Sequence, residues 1–142
     1  MVSETQKRQI VEIAGRYEVA FVVLFGSVAE GTERGGSDID VAVMRRDRAR
    51  LSYTQFRDIT DELSSVFDGT FSKVDVVDLA SANILLRHEI TSRGTLLCGD
   101  ADQYGAYRIF AFRDYVDSRS LRDLEEALTE RRQKALHAAI HG

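Results

Sequence analysis

Residues 19–25, VAFVVLF, form an unbroken apolar run rich in β-branched and aromatic types, and Gly26 ends it. A run this short, with no polar position to turn toward water, reads as a strand covered on both faces, which places it in a layered fold with helices flanking a sheet. The next strand has a different character. From Asp38 to Met44 the pattern DIDVAVM sets Ile39, Val41 and Val43 on one face and Asp38, Asp40 and Ala42 on the other, because side chains alternate along a strand. Between the two strands lies GSVAEGTERGGS, a loop of small and polar residues.

Helical and extended segments alternate around this pair. Ser3 and Gln6 form a capping box ahead of Ile10, Val11, Ile13, Ala14 and Tyr17, which fall along one helical stripe. Residues 51–66 carry Leu51, Phe56, Ile59, Leu63 and Val66 at helical spacing, followed by Phe67, and Asp68-Gly69 breaks the pattern. FSKVDVVDL, from Phe71 to Leu79, is expected as a third strand. Ser81 is expected to cap a helix that runs through Ile90 and stops near Gly94, and TLLC at 95–98 follows as a short extended segment. From Asp100 onward the chain is helical in character with a break around 117–120, and Tyr104, Tyr107, Phe110 and Phe112 are expected to pack that C-terminal helix, or to dock a partner where apolar surface is in excess. The class is α/β (α+β), and we expect one domain over 1–142, with 1–100 as its core and 101–142 as a C-terminal helical extension.

Charge and composition narrow the function. Nineteen Lys and Arg against 23 Asp and Glu leave a net charge of −4, so a broad attraction for nucleic acid is not expected. The single cysteine, Cys98, offers no internal disulfide and fits a reducing compartment. No apolar run approaches the roughly 20 residues of a membrane span, and no signal-peptide core is legible near the N-terminus, so a cytoplasmic location without membrane contact is expected. The basic run MRRDRAR begins at the far end of the second strand and reads as a solvated loop or a partner surface. His88 and Cys98 read as structural, and His137 with His141 as a frayed helix end.

The chemistry concentrates between Gly26 and Asp40. A glycine directly after a strand allows backbone geometry that presents N–H groups to phosphate oxygens, and Ser27 adds a hydroxyl donor. Asp38 and Asp40 project to the same face, where two carboxylates repel unless they share a cation, and magnesium suits carboxylate and phosphate oxygens. A phosphate cradle joined to a magnesium site implies phosphoryl chemistry on a nucleotide. A two-metal site wants a third carboxylate. In the third strand Val74 and Val76 share a face with Asp78, whereas Asp75 lies opposite, so Asp75 is assigned as the third ligand and Asp78 as a strand terminator.

Gly26-Ser27, ten intervening residues, Asp38-Ile39-Asp40 and the later Asp75 in VDVVDL together resemble the minimal nucleotidyltransferase branch of the DNA polymerase β superfamily. The similarity covers residues 20–43 and, more loosely, 72–100, where HEITSRGTLLCGD follows the third carboxylate. The resemblance implies a polymerase-β-like fold, with a short mixed sheet backed by helices, and transfer of AMP from ATP to a hydroxyl. It implies two Mg2+ ions held by Asp38, Asp40 and Asp75, and a nucleotide gripped by Gly26, Ser27 and Ser37. It also implies a role as an antitoxin that AMPylates and silences a HEPN-domain ribonuclease toxin. The chain departs from the pattern at Glu30, which stands before Gly31 where many relatives carry a basic residue.

Only about 60 residues follow the third strand, too few for a separate helical domain that would enclose an acceptor. The acceptor is therefore expected to complete the site from outside, as a partner protein or a second copy of the chain. Two other readings stay open at this point: an antitoxin that inhibits by binding alone, and a small-molecule nucleotidyltransferase acting on an antibiotic.

Overall fold

The computed structural model describes residues 2–31, 38–71 and 73–141. Helix α1 (Glu4–Arg16) starts at the Ser3–Gln6 capping box, in which each side chain bonds the other residue's backbone N–H, and it buries Ile10, Ile13 and Ala14. Val11, expected on the same stripe, is 54 % exposed, because one helical step carries it off the buried arc. Strand β1 (Val19–Phe25) leads into the short helix α2 (Gly26–Glu30). Strand β2 (Ile39–Arg45) is followed by α3 (Tyr53–Val66), whose Ser52–Gln55 capping box repeats the device of α1. Strand β3 (Val74–Asp78), helix α4 (Ile84–Arg93) and strand β4 (Thr95–Gly99) complete the sheet and one of its helical layers. Helices α5 (Ala101–Asp117) and α6 (Arg119–His141) meet at Ser118, within the break read from sequence.

Element boundaries differ from expectation, most clearly at α4 and β3. The α4 cap is Asn83, whose side chain accepts from the Leu86 N–H at 2.8 Å, while Ser81 donates its hydroxyl to Asp78 Oδ2 at 3.2 Å. Strand β3 begins at Val74 rather than Phe71, since Phe71 packs edge-on against Phe67 with ring centroids 5.7 Å apart.

The sheet is mixed, in the order β3-β2-β1-β4. β1 pairs antiparallel with both β2 and β4, and β2 pairs parallel with β3. Helices cover both faces, so alternate residues of β1 enter separate cores. Val22 and Leu24 join Ile39, Val41, Val43 and Val74 with Ile10, Ile13, Ile59 and Leu63 of α1 and α3. Phe21 and Val23 join Ala42, Ile90, Tyr104 and Tyr107 on the other side, beneath α4 and α5. Tyr104 and Tyr107 therefore pack as expected, their rings 5.4 and 5.5 Å from that of Phe21. Phe110 and Phe112 stay 51 % and 57 % exposed, Phe110 flanking Tyr107 with ring centroids 5.9 Å apart and Phe112 reaching His88 of α4 at 6.1 Å. Among the described residues, no helix is long and apolar enough to cross a membrane.

Parity settles the two aspartates of β3. Asp78 is buried, and its carboxylate accepts from the Leu51 N–H at 2.9 Å, the Ala80 N–H at 3.2 Å and the Ser81 hydroxyl. It stitches the start of α3 to the end of β3. Removing it leaves partly buried donors unmet, so Asp78→Ala is expected to cost about 1–3 kcal/mol in denaturant unfolding. Asp75→Ala, at the uncovered end of its sheet face, should change stability by no more than about 0.5 kcal/mol in the same measurement.

Candidate active site

The site begins where β1 stops. Gly26 has φ +76, and a Cβ built on it would land on Asp40 Oδ2. Both the backbone conformation and the closeness of the carboxylate thus require glycine. α2 is anchored by buried Val28 and closes at Gly31, another left-handed residue (φ 71), whose N–H donates to the Val28 carbonyl at 3.3 Å. Ser27 is half-buried on the same turn.

Across from this turn the parallel pairing of β2 and β3 aligns Ile39 with Val74, Asp40 with Asp75 and Val41 with Val76. Val74 is buried in the core formed by Ile39 and Val41, so Asp40 and Asp75 emerge together on the opposite face. Asp38 sits exposed just before the strand. The Asp40 carboxyl is held above the usual aspartate range, first by burial and then by the negative charges of Asp75 and Asp38. Asp40 thus lies within the field of both other carboxylates.

Positive charge is drawn in accordingly. Lys73 Nζ approaches Asp75 Oδ1 at 3.1 Å, and its pKa is raised by that hydrogen bond and by the charges of Asp75 and Asp38. Among the described residues, no three Asp, Glu, His or Cys side chains are gathered closely enough to hold an ion as they stand. Donor type and charge nevertheless fit a hard divalent cation: the set is entirely carboxylate, and mutual repulsion already penalises the fully ionised form. Lys73 is 67 % exposed at its side chain, so turning it away from Asp75 costs little. Sequence reading missed Lys73, although its place two residues after Phe71 and two before Asp75 puts it on the aspartate's face.

Beside Gly26 and Ser27 a cavity of about 490 Å3 opens between α2 and α4, lined also by Phe25, Glu30, His88 and Arg93. Glu30 is not left as a bare negative charge there. Arg93 Nη1 lies 3.2 Å from Glu30 Oε1, joining the turn to the last residue of α4. His88 stacks on Tyr115 with ring centroids 3.9 Å apart, consistent with a structural part.

Several candidates stand apart. Asp78 belongs to the α3 junction already described, and Ser37 lies outside the described residues. The basic run is only partly a solvated loop. Arg45 is largely covered and pairs with Asp47 at 2.9 Å, while Arg48, at φ 63, lays its guanidinium 5.5 Å from the ring centroids of both Phe21 and Tyr107. Cys98 is partly covered by its neighbours, and burial raises its thiol pKa.

A four-stranded mixed sheet with a glycine-led turn facing in-register aspartates defines the frame of a nucleotidyltransferase. The family model described as "Polymerase beta, Nucleotidyltransferase" matches residues 8–103, and the chain belongs to that family. The chain is 35% identical over 82 residues to "Protein adenylyltransferase MntA" of Shewanella oneidensis, a match covering 58% of this chain and 55% of that protein. The chain thus aligns with about half the length of that curated relative. Among solved structures it resembles "the toxin-antitoxin with AMP-PNP" at TM-score 0.71 and 25% identity, covering 89% of this chain and 98% of the other. It also shares its fold with a chain from the complex of "tri-AMPylated Shewanella oneidensis HEPN toxin" with "MNT antitoxin", at TM-score 0.67 and 22% identity, covering 92% of this chain and 98% of the other.

The raised Asp40 pKa carries a sign that can be checked. The folded state holds this proton more tightly than the unfolded chain, so the contribution to stability is complete below the ordinary aspartate range. It is lost as pH rises through the raised folded value. In metal-free protein, Asp40→Asn should therefore gain stability relative to wild type as pH rises through that window, then hold a constant advantage. Carboxyl titration followed by NMR should show the Asp40 pKa falling in Asp75→Asn.

Proposed function

We propose that this chain transfers AMP from ATP to a hydroxyl on a partner protein, and that it acts as an antitoxin on a HEPN-domain toxin. The observation that carries the reading is the alignment of Asp40 with Asp75 at the uncovered end of one sheet face, beside a glycine that no other residue replaces without displacing Asp40. Similarity to a protein adenylyltransferase and to a chain of a toxin-antitoxin structure with AMP-PNP supports the choice of acceptor.

In this reading Gly26 and Ser27 grip the β- and γ-phosphates, and Ser37 adds a further nucleotide contact. Asp38, Asp40 and Asp75 are the residues that would hold Mg2+. When bound, the metal lowers the pKa of the attacking hydroxyl and neutralises charge on the departing pyrophosphate. The chain itself contributes position: the β1 turn would hold the triphosphate tail and the β2–β3 register the carboxylates beside it, so that the hydroxyl meets the α-phosphorus opposite the pyrophosphate leaving group. That oxygen bonds to the α-phosphorus as the bond to pyrophosphate breaks. Arg93 keeps Glu30 neutralised, so the triphosphate enters beside an ion pair rather than beside a lone carboxylate.

Incubation with α-labelled ATP, Mg2+ and a HEPN-domain toxin, the first choice being any such protein encoded by a neighbouring gene, tests the reading. Label is expected on the toxin, and Asp38→Asn, Asp40→Asn and Asp75→Asn should each lower transfer by about a hundredfold or more. Toxin inhibition that persists without label in wild type would show silencing by binding alone. Arg93→Gln should raise the KM for ATP several-fold with a smaller change in kcat, because it leaves Glu30 uncompensated near the phosphates while the carboxylates stay in place.

A further inference from the structure

Four residues along β2 from Asp40, on the same sheet face and roughly 13 Å away, Met44 lines a second cavity. Its volume is about 390 Å3, within the range of roughly 300–1,000 Å3 that small-molecule sites occupy. Ala106, Tyr107 and Phe110 of α5 continue the apolar wall, and Arg48 and Arg87 bring two guanidiniums to it.

The two arginines are held in place without being neutralised. Arg87 donates from Nε to the Leu79 carbonyl at 3.1 Å and from Nη2 to the Ala80 carbonyl at 3.3 Å, which fixes its plane and leaves Nη1 over. Arg48 lies against the rings of Phe21 and Tyr107, and it does so from a left-handed backbone (φ 63) that residues with a Cβ resist. Among the described residues, neither guanidinium has an acidic partner. The Asp78 carboxylate is already taken by Leu51, Ala80 and Ser81.

A third polar group close to both is orphaned. Tyr107 is 5 % exposed, and its hydroxyl is buried with no hydrogen-bond partner among the described residues. Burial raises the pKa of this phenol, the charges of Arg87 and Arg48 lower it, and those of Asp114 and Asp78 raise it by less. Both guanidiniums therefore act at the hydroxyl, and positive charge outweighs negative there. A structural part accounts for the carbonyl bonds and the ring contacts. It accounts for neither the orphaned hydroxyl nor two unpaired charges beside an apolar wall.

We propose that this cavity binds a small organic acid, its carboxylate held by Arg48 and Arg87 with the Tyr107 hydroxyl donating, and its apolar body against Met44, Ala106 and Phe110. Planar guanidinium forks match a carboxylate, and the phenol supplies one further proton. A bare inorganic anion would leave the apolar wall uncovered, and a neutral ligand would leave both charges unpaired. The site is independent of the AMP-transfer reading, since it lies at the other end of the sheet face from Asp40 and the Gly26 turn.

Calorimetric titration of the full chain with 4-phenylbutyrate and with octanoate tests it. At least one of them is expected to bind once per chain with a Kd of about 1 mM or tighter. The matching amide, which keeps the body and loses the charge, and acetate, which keeps the charge and lacks the body, should each bind about tenfold or more weakly. Arg48→Gly relieves the left-handed backbone as it removes the guanidinium, so it should match wild type by circular dichroism and lose about tenfold or more in affinity. Ala106→Phe should block the cavity with both arginines in place, and Tyr107→Phe should weaken binding several-fold. Failure of both acids to bind at about 10 mM overturns the proposal, as does equal binding of acid and amide or wild-type affinity in Arg48→Gly. Displacement of the acid by ATP with Mg2+ would assign it to the Gly26 turn and overturn the proposal. Binding of an N-acetylated peptide ending in a free phenylalanine carboxylate, with no binding of the free acids, would give the cavity to a partner protein's chain end and overturn it too.

Discussion

Two strands running parallel, β2 and β3, hold Asp40 against Asp75 with one-to-one register, and the rest of the site is arranged around the repulsion this creates. Like charges on adjacent strands destabilise a sheet unless something offsets them. Here Ile39, Val41, Val43 and Val74 bury the opposite face, so the strands cannot slip by one residue without turning that apolar set toward water. The core on one side therefore enforces the charge density on the other. Burial and the two neighbouring carboxylates raise the Asp40 pKa, and Lys73 settles on Asp75.

Around the carboxylates the fold supplies compensation from remote segments. Arg93, at the end of α4, reaches Glu30 at the end of α2, so the acidic departure in the loop is balanced by a residue 63 positions away. Gly26 is constrained in the same way by a distant neighbour, since the space a side chain would need is filled by Asp40. The two-core body thus brings the aspartates and the Gly26 turn together.

Much of this was legible in the chain. The apolar run 19–25 identified a strand covered on both faces, and alternation in DIDVAVM and VDVVDL assigned Asp40 and Asp75 to one face and Asp78 to the other. These readings work because strand parity depends only on local backbone geometry. Cap choice was less secure: Ser81 and Asn83 are equally good cap types, and Ser81 was taken by the Asp78 carboxylate, a contact that exists only once β3 and α3 meet. The aromatics of α5 divided for a similar reason. Tyr104 and Tyr107 found Phe21, while Phe110 and Phe112 flank that contact, beside Tyr107 and His88, and stay half exposed.

By itself the sequence determined the order of elements, the side of each strand on which an aspartate lies and the residue types suited to phosphate and divalent cations, because all of these follow from spacing and side-chain chemistry. Tertiary structure alone decided that Asp40 meets Asp75, that Lys73 answers Asp75, that Arg93 answers Glu30 and that Arg48 lies over Phe21 and Tyr107. Each of these joins segments distant in the chain or depends on strand register, and no local pattern encodes a distance that only packing can close.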